Sequence, residues 1–170
     1  MTSGIQSIVG TYVRLRRIDA LTSLRAHRQK LLAEASDRSD FNFAVAREHY
    51  QRDIAVIDAG LNRAMTQNDW TIRGAMDPLG EKEITGWVQN TQHPGLPVLL
   101  GVYFDGQLAG EILANRFRPE LVKAGVGNGH HGFVFALPPG AHQSINSLEV
   151  RAPFETIIVY SRTTGQASVG

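Results

Sequence analysis

The sequence contains no cysteine among its 170 residues. The chain therefore has no disulfide framework, no thiolate nucleophile and no cysteine-based metal site. It also lacks a long apolar run, since no stretch approaches the roughly 20 residues that a membrane-spanning helix needs. The formal net charge of +1 is too small for a strong field towards nucleic acid or anionic lipid. We therefore predict no membrane span and no nucleic-acid partner.

The N-terminal residues have no basic segment followed by an apolar core of about seven residues, the pattern of a secretory signal peptide. We therefore expect a cytoplasmic protein, while export without a signal would leave no mark in the sequence. The hydrophobic fraction of 42% and the charged fraction of 19% are typical of a globular chain. The length allows one domain, or one domain with an appendage, and a sizeable core.

The first third of the chain has helical periodicity. A first helix is predicted from Ile5 to about Ala35. Its apolar spacing shifts near Ile18 and Leu21, which would be a local irregularity of the helical repeat, a stammer, if the segment is one helix. A short polar segment precedes a second predicted helix, from Phe41 to about Met65. We predict that the two helices form an antiparallel hairpin over residues 1–66.

This hairpin has two possible roles. It packs on the rest of the chain, or it associates with copies of itself or with another protein, because two helices alone bury little apolar surface. We favour association, which makes the chain a homo-oligomer or the partner of another protein. The predicted assembly residues are Tyr12, Leu15, Leu24, Tyr50, Ile54, Ile57 and Leu61.

Basic residues also cluster on the first helix, among them Arg25 and Arg28, as in some nucleic-acid-binding proteins. The second helix, however, carries Glu48, Asp53 and Asp58. Aromatic residues do not interleave with the arginines as they do in a stacking platform. The pattern therefore favours a charged outer face of the hairpin.

From residue 69 to 163 the sequence has the pattern of an all-β domain, with short apolar runs separated by Gly, Pro, Asn and Asp. Asp105-Gly106 predicts a hairpin with a two-residue turn. We predict an α+β chain whose second part is an immunoglobulin-like β-sandwich, with a small barrel as the alternative and a flexible tail over 164–170. The predicted strands are Trp70–Gly74, Lys82–Gln89, Val98–Phe104, Gln107–Ala114, Gly132–Leu137, Ser147–Ala152 and Thr156–Ser161.

A short helix and a glycine-rich loop interrupt the strands. Pro119 suits the first turn of a helix over Arg118–Lys123, and Gly125 would end it. The following Gly127-x-Gly129-x-x-Gly132 has the spacing of a dinucleotide-binding loop. Because it follows a helix and enters a strand, we predict a tight loop with positive φ instead of a nucleotide site.

This segment belongs to a pattern that resembles a known module. Residues Ile84–Pro138 resemble a small β module that accompanies glycosyltransferases and other cell-surface polysaccharide proteins in some proteobacteria. The module's usual form is G-W, D-G, R-x-D-L and G-x-G-x-x-G-F; here Glu120 stands where Asp is commoner, and Pro119 is additional. The resemblance implies glycan assembly or recognition and no known catalytic residues. The matching residues are Gly86-Trp87, Pro97-Val98, Asp105-Gly106, Arg118-Pro119-Glu120-Leu121, Gly125, Gly127, Gly129 and His131-Gly132-Phe133.

Sugar-binding proteins stack exposed aromatic rings on pyranose faces, and Phe117 between two arginines is the best candidate for such a ring. Trp87 and Tyr103 lie inside apolar strands, where we expect them to pack in the core. The predicted glycan-binding residues are Phe117, Arg116, Arg118, His130 and Trp70.

The sequence provides little evidence for catalysis. Its carboxylates are not paired as in a glycosidase, and no serine lies in G-x-S-x-G. His130 and His131 are adjacent in an extended segment, so their rings point to opposite faces and do not share a metal. We predict a non-catalytic interaction protein without metal or cofactor. A carbohydrate-binding module and a small enzyme with an unrecognised site are the alternatives.

Overall fold

The structure, a computed structural model, describes residues 4–37, 41–153, 155–161 and 166–169. The chain is α+β: helices come first, and antiparallel strands in two sheets follow. It divides into two compact units, Met1–Thr66 and Gln67–Gly170, here called the helical unit and the β unit. In the ranges that the structure describes, no helix is both long enough and apolar enough to cross a membrane.

In its described residues, the helical unit contains three helices where two were predicted: α1 (Gly4–Arg14), α2 (Ile18–Ser36) and α3 (Phe41–Ala64). The predicted first helix breaks after Arg14, and Arg16 takes a positive φ of 50°. The predicted stammer is therefore a turn. Because the turn resets the helical phase, Val9 on α1 and Leu21 on α2 are both buried.

Gly60 on α3 permits close packing of the other two helices. A Cβ atom at Gly60 would overlap Cγ1 of Val9 and lie 3.8 Å from Cδ2 of Leu21. A larger side chain at this position would separate α1 from α3. The three-helix arrangement therefore depends on a small residue that the apolar periodicity does not reveal.

The described residues of the β unit form two antiparallel sheets. One has the order β1-β2-β6-β5 and the other β4-β3-β7-β8-β9. Two short helices interrupt the strands, α4 after β5 and α5 after β6. The elements are β1 (Ile72–Met76), β2 (Glu83–Asn90), β3 (Val98–Phe104), β4 (Gln107–Ala114), β5 (Arg116–Phe117), α4 (Pro119–Lys123), β6 (His130–Ala136), α5 (Ala141–Ser144), β7 (Ser147–Ala152), β8 (Glu155–Ser161) and β9 (Gln166–Val169).

Each of the seven predicted strands overlaps an observed strand, and β5 and β9 are additional. The predicted turn between β3 and β4 is confirmed, since Asp105 and Gly106 have φ values of 47° and 81°. The predicted flexible tail includes Gln166–Val169, which instead pair with β8 as β9. Positions 164, 165 and 170 of that tail lie outside the described residues.

The core of the β unit contains buried residues from both sheets. Ile84 and Val88 of β2 and Phe133 of β6 belong to the same buried cluster as residues of β3 and β7. Alternation along β2 directs Ile84, Gly86 and Val88 towards this cluster. The intervening residues of β2 therefore lie on the opposite face of their sheet.

Candidate functional site

The structure brings together four of the five predicted glycan-binding residues. Strand β5 pairs with β6, with Arg116 opposite Gly132 and Phe117 opposite His130. The centroids of the Phe117 and His130 rings are 5.0 Å apart, and the rings are tilted by 46°. Phe117 is 55% exposed. We call Arg116, Phe117, Arg118 and His130 the Phe117 surface.

An open cavity of about 450 Å³ lies beside this surface. Its lining includes Arg116–Arg118 together with Asp77, Thr85, Gly132 and Val134. The volume falls within the range of about 300–1,000 Å³ that is typical of small-molecule sites. The cavity thus combines an exposed aromatic ring with hydroxyl, carboxylate and guanidinium groups.

Arg118 lies between two carboxylates, that of Asp77, which also lines the cavity, and that of Glu120. Its Nη1 and Nη2 atoms donate to Oδ2 and Oδ1 of Asp77 at 2.8 and 3.3 Å, and its Nε donates to Oε1 of Glu120 at 2.5 Å. Thr85 Oγ1 also donates to Asp77 Oδ2, at 2.8 Å. The arginine is therefore held between two carboxylates, in the bidentate geometry that favours strong ion pairing with Asp77.

These contacts fix the charge of the carboxylates. Partial burial works to raise the pKa of Asp77, but the hydrogen bonds from Arg118 and Thr85 outweigh it and hold that pKa below its ordinary value. A hydrogen bond from its own backbone amide and one from Arg118 lower the pKa of Glu120. Both groups are ionised at neutral pH, so they accept hydrogen bonds and do not carry a transferable proton.

The glycines of the predicted tight loop position the surface. Gly125, Gly127 and Gly129 have φ values of 69°, 51° and 80°, as predicted. A Cβ atom at Gly129 would lie 3.0 Å from Cε2 of Phe117, so the aromatic ring rests against the loop backbone. A Cβ atom at Gly132 would lie 2.7 Å from Cδ of Arg118, so this side chain passes directly over Gly132 towards Asp77.

His131 points away from the Phe117 surface and is buried. Its Nε2 lies 3.2 Å from Nε2 of Gln89, whose Oε1 accepts a hydrogen bond from Nε of Arg73 at 2.9 Å. Because the Gln89 amide nitrogen donates, His131 Nε2 accepts and the ring proton is on Nδ1. Burial, with smaller effects of His130 and Arg73, lowers the pKa of His131. The two adjacent histidines therefore lie in different environments, as the extended segment predicted.

Trp70, the fifth predicted glycan-binding residue, is not part of this group. It is half-buried, packs against the core of the β unit, and has a buried Nε1. Trp87, which was expected in the core, lies on the other face of β2, since it alternates with Gly86 and Val88. It is paired with Gly132, on the face that carries Thr85 and the Arg118 side chain.

Asp77 and Thr85 are residues of the candidate site that the sequence did not indicate. Asp77 is separated from Arg118 by 41 positions, so no local spacing relates them. The alternation of Trp87 with Ile84 and Val88 along β2 could have predicted that Trp87 lies on the face away from the core. Among the residues that the structure describes, no group of three or more His, Asp or Glu residues can hold a metal ion.

The predicted assembly residues differ in how far they are buried in the structure. Ile57 and Leu61 are buried within a single chain, so they are not available to a second copy. Leu15 is 64% exposed. The remaining residues are half-buried: Tyr12, Leu24, Tyr50 and Ile54.

The prediction that the charged residues form an outer face of the hairpin is wrong for Asp53 and Asp58. Asp58 and Asp53 are buried between α2 and α3, where they form ion pairs with Arg25 at 2.5 Å and with Arg28 at 2.8 Å. Burial raises the pKa of Asp58 and outweighs the opposing effect of Arg25. These carboxylates lie inward because an arginine on the neighbouring helix compensates each charge.

Comparison with known proteins gives no relative: no family model, curated protein or solved structure matches this chain.

Proposed function

We propose that this chain is a non-catalytic interaction protein whose β unit binds carbohydrate at the Phe117 surface. The β unit would be an immunoglobulin-like sandwich that acts in a cell-surface glycan context, as its resemblance implies. The helical unit would mediate self-association. The cytoplasmic location expected from the sequence stays a prediction.

The observation that carries the proposal is the exposed ring of Phe117, which contacts the ring of His130 and the backbone of Gly129. Phenylalanine is normally buried, and leaving more than half of it in water forgoes favourable transfer of apolar area. The ring is held by His130 on the neighbouring strand and by the backbone of Gly129. A fixed exposed ring beside hydrogen-bonding groups matches the chemistry of a pyranose, which has an apolar C–H face and a polar hydroxyl rim.

A glycan array with the full chain tests this proposal. Phe117→Ala should abolish the binding signal and leave the fold intact, because the side chain lies largely in solvent. Leu108→Ala is a matched control, since Leu108 on β4 is also 55% exposed but lies in the other sheet. Binding that survives Phe117→Ala, or a wild-type chain that binds no glycan, would refute the proposal.

Self-association is proposed through α1. Ile8 is 46% exposed, and the Leu15 amide donates to the carbonyl of Thr11 at 3.1 Å, so helical spacing continues to Leu15. The two apolar residues, seven positions apart, therefore lie on nearly the same side of the helix. An exposed apolar stripe of this kind is covered when a second copy packs on it.

Light scattering behind size exclusion tests this second part. The wild-type chain should be an oligomer, and the double variant Ile8→Asp, Leu15→Asp should be a monomer, because two charges at the interface would lose their hydration on association. Val45→Asp on α3, another exposed apolar position, is the control that should keep the oligomer. A monomeric wild-type chain, or an unchanged mass of the double variant, would refute self-association through α1.

A further inference from the structure

We infer that the Phe117 surface selects an acidic sugar, such as a uronate, over a neutral one, and that Arg116 pairs with the carboxylate of this sugar. The inference rests on the proposed carbohydrate binding and names the class of sugar that the site takes. The exposed ring of Phe117 does not determine this class, because neutral and acidic pyranoses both have an apolar C–H face.

Three consecutive residues, Arg116, Phe117 and Arg118, line the same cavity. Successive side chains of a regular strand point to opposite faces of the sheet, so a regular β5 would separate the Arg116 side chain from the aromatic ring. The pairing of β5 with β6 instead shifts its register between Arg116 and Phe117, as in a β-bulge. Bulges change the direction of the neighbouring side chains. A guanidinium and an aromatic ring therefore reach one ligand site together.

The charged groups that line the cavity have a net positive charge. They are the carboxylate of Asp77 and the guanidinium groups of Arg116 and Arg118. Asp77 forms a bidentate pair with Arg118, at 2.8 and 3.3 Å, in which one negative charge offsets one positive charge. Glu120 also pairs with Arg118, but it is not among the lining residues, and its side chain is 56% exposed to water. The charge of Arg116 therefore attracts an anion into the cavity.

The cavity also has more hydrogen-bond donors than acceptors to offer. In the described part of the chain, no residue forms a hydrogen bond or an ion pair with the exposed Arg116. Arg118 uses three N–H groups on Asp77 and Glu120, while a guanidinium has five. Asp77 already accepts three hydrogen bonds, two from Arg118 and one from Thr85, of the roughly four that a carboxylate accepts. The site therefore requires a ligand with acceptors.

A uronate matches both kinds of group in the cavity. Its planar carboxylate presents two acceptor oxygens, which a guanidinium binds through two parallel hydrogen bonds. Its pyranose ring has an apolar face that can cover the exposed ring of Phe117. A neutral sugar would leave the charge of Arg116 without a partner, and a free anion would leave the ring of Phe117 in water. An acidic sugar therefore uses the guanidinium and the aromatic ring at once.

The test compares matched neutral and acidic sugars with the full chain at low ionic strength. The probes are the methyl β-glycosides of glucose, galactose and mannose, each with its uronic acid counterpart, and NMR titration measures the affinities. The uronate member of a binding pair should bind at least about tenfold more tightly, a difference of about 1.4 kcal/mol. Equal or tighter binding of the neutral members would overturn the inference and leave carbohydrate binding standing. Loss of all binding, here and on the glycan array, would overturn the proposed function as well.

A variant at Arg116 tests which group recognises the carboxylate. Arg116→Gln removes the charge and keeps a polar side chain at an exposed position, so the affinities for the uronate and its neutral counterpart should become nearly equal. Lys82→Gln is the control: Lys82 is also exposed, precedes β2 and is not among the lining residues, so this variant removes the same charge and should keep the preference. A preference that survives Arg116→Gln, or that falls equally in Lys82→Gln, would overturn the inference.

Acetate as the sole ligand separates an acidic sugar from a free anion. It carries the carboxylate without the pyranose ring, so it should bind much more weakly than the uronate in the same NMR titration. Equal affinities for acetate and the uronate would overturn the inference, because the stacking of the sugar on Phe117 would then contribute nothing.

Discussion

The helical unit and the β unit place their charged residues in opposite ways. In the helical unit, Asp53 and Asp58 are buried in the packing of α2 on α3, and arginines compensate them. In the β unit the core cluster is apolar, and the Asp77–Arg118 pair lies partly exposed beside the cavity. In the first unit, therefore, charge helps to determine which helix faces meet. In the second unit, apolar packing determines the fold, and the charged side chains remain accessible to a ligand.

The largest effect is expected from Asp58→Ala. Removing Asp58 breaks its buried ion pair with Arg25, which should lower the free energy of unfolding of the helical unit by about 3–5 kcal/mol. Chemical denaturation of the full chain, with hydrogen exchange at α2 and α3 amides, measures the change. Asp19→Ala removes the same group from an exposed pair with Arg17, and its effect should be much smaller. If both variants lose the same stability, the buried position of the Asp58–Arg25 pair contributes nothing, and the contrast between the two units fails.

A second change tests packing in the β unit. Gly127→Ala should lower the free energy of unfolding by about 2–4 kcal/mol, because its Cβ atom would overlap Nε2 of His131 and would lie at a strained positive φ. Gly125→Ala has a similar φ but no neighbour within 4 Å, so it isolates the strain and should cost about 1–2 kcal/mol. If both variants lose the same stability, the Gly127–His131 contact contributes nothing.

A smaller, pH-dependent effect is expected from His131. Its pKa in the folded chain lies below the ordinary value of 6.5, so the unfolded chain binds the proton more readily. The stability that neutral His131 contributes is complete above pH 6.5 and is lost as the pH falls towards its folded pKa. Denaturation between about pH 7.5 and pH 5.5 should show this loss in the wild type. His131→Gln, which does not titrate, should reduce it, and an identical loss in that variant would exclude His131 as the cause.

Much of the β unit could be predicted because its signals are local. Alternating apolar residues and the Asp105-Gly106 pair indicated strands and a turn that the structure contains. Four of the five glycan-binding candidates lie together because three are consecutive and the fourth is opposite them on β6. Trp70 lies apart from them, against the core, and the sequence does not distinguish an exposed aromatic residue from one at the edge of a core.

The remaining features depend on contacts that local patterns do not encode. The break between α1 and α2 depends on a positive φ at Arg16, a residue type with no preference for that conformation. Asp77 belongs to the candidate site because it pairs with Arg118, which is 41 positions away in the sequence. Thr85 belongs to it because its hydroxyl donates to Asp77. Asp53 precedes Ile57 by four positions, so helical spacing placed it on the buried stripe, but its charge suggested an outer face.

Amide chemical-shift mapping of the full chain with a glycan that binds on the array locates the carbohydrate-binding surface directly. We expect shifts confined to Phe117, His130, Gly129, Gly132 and their cavity neighbours, and we expect Phe117→Ala to abolish them. Shifts centred on the other sheet, or shifts that persist in Phe117→Ala, would contradict carbohydrate binding at the Phe117 surface.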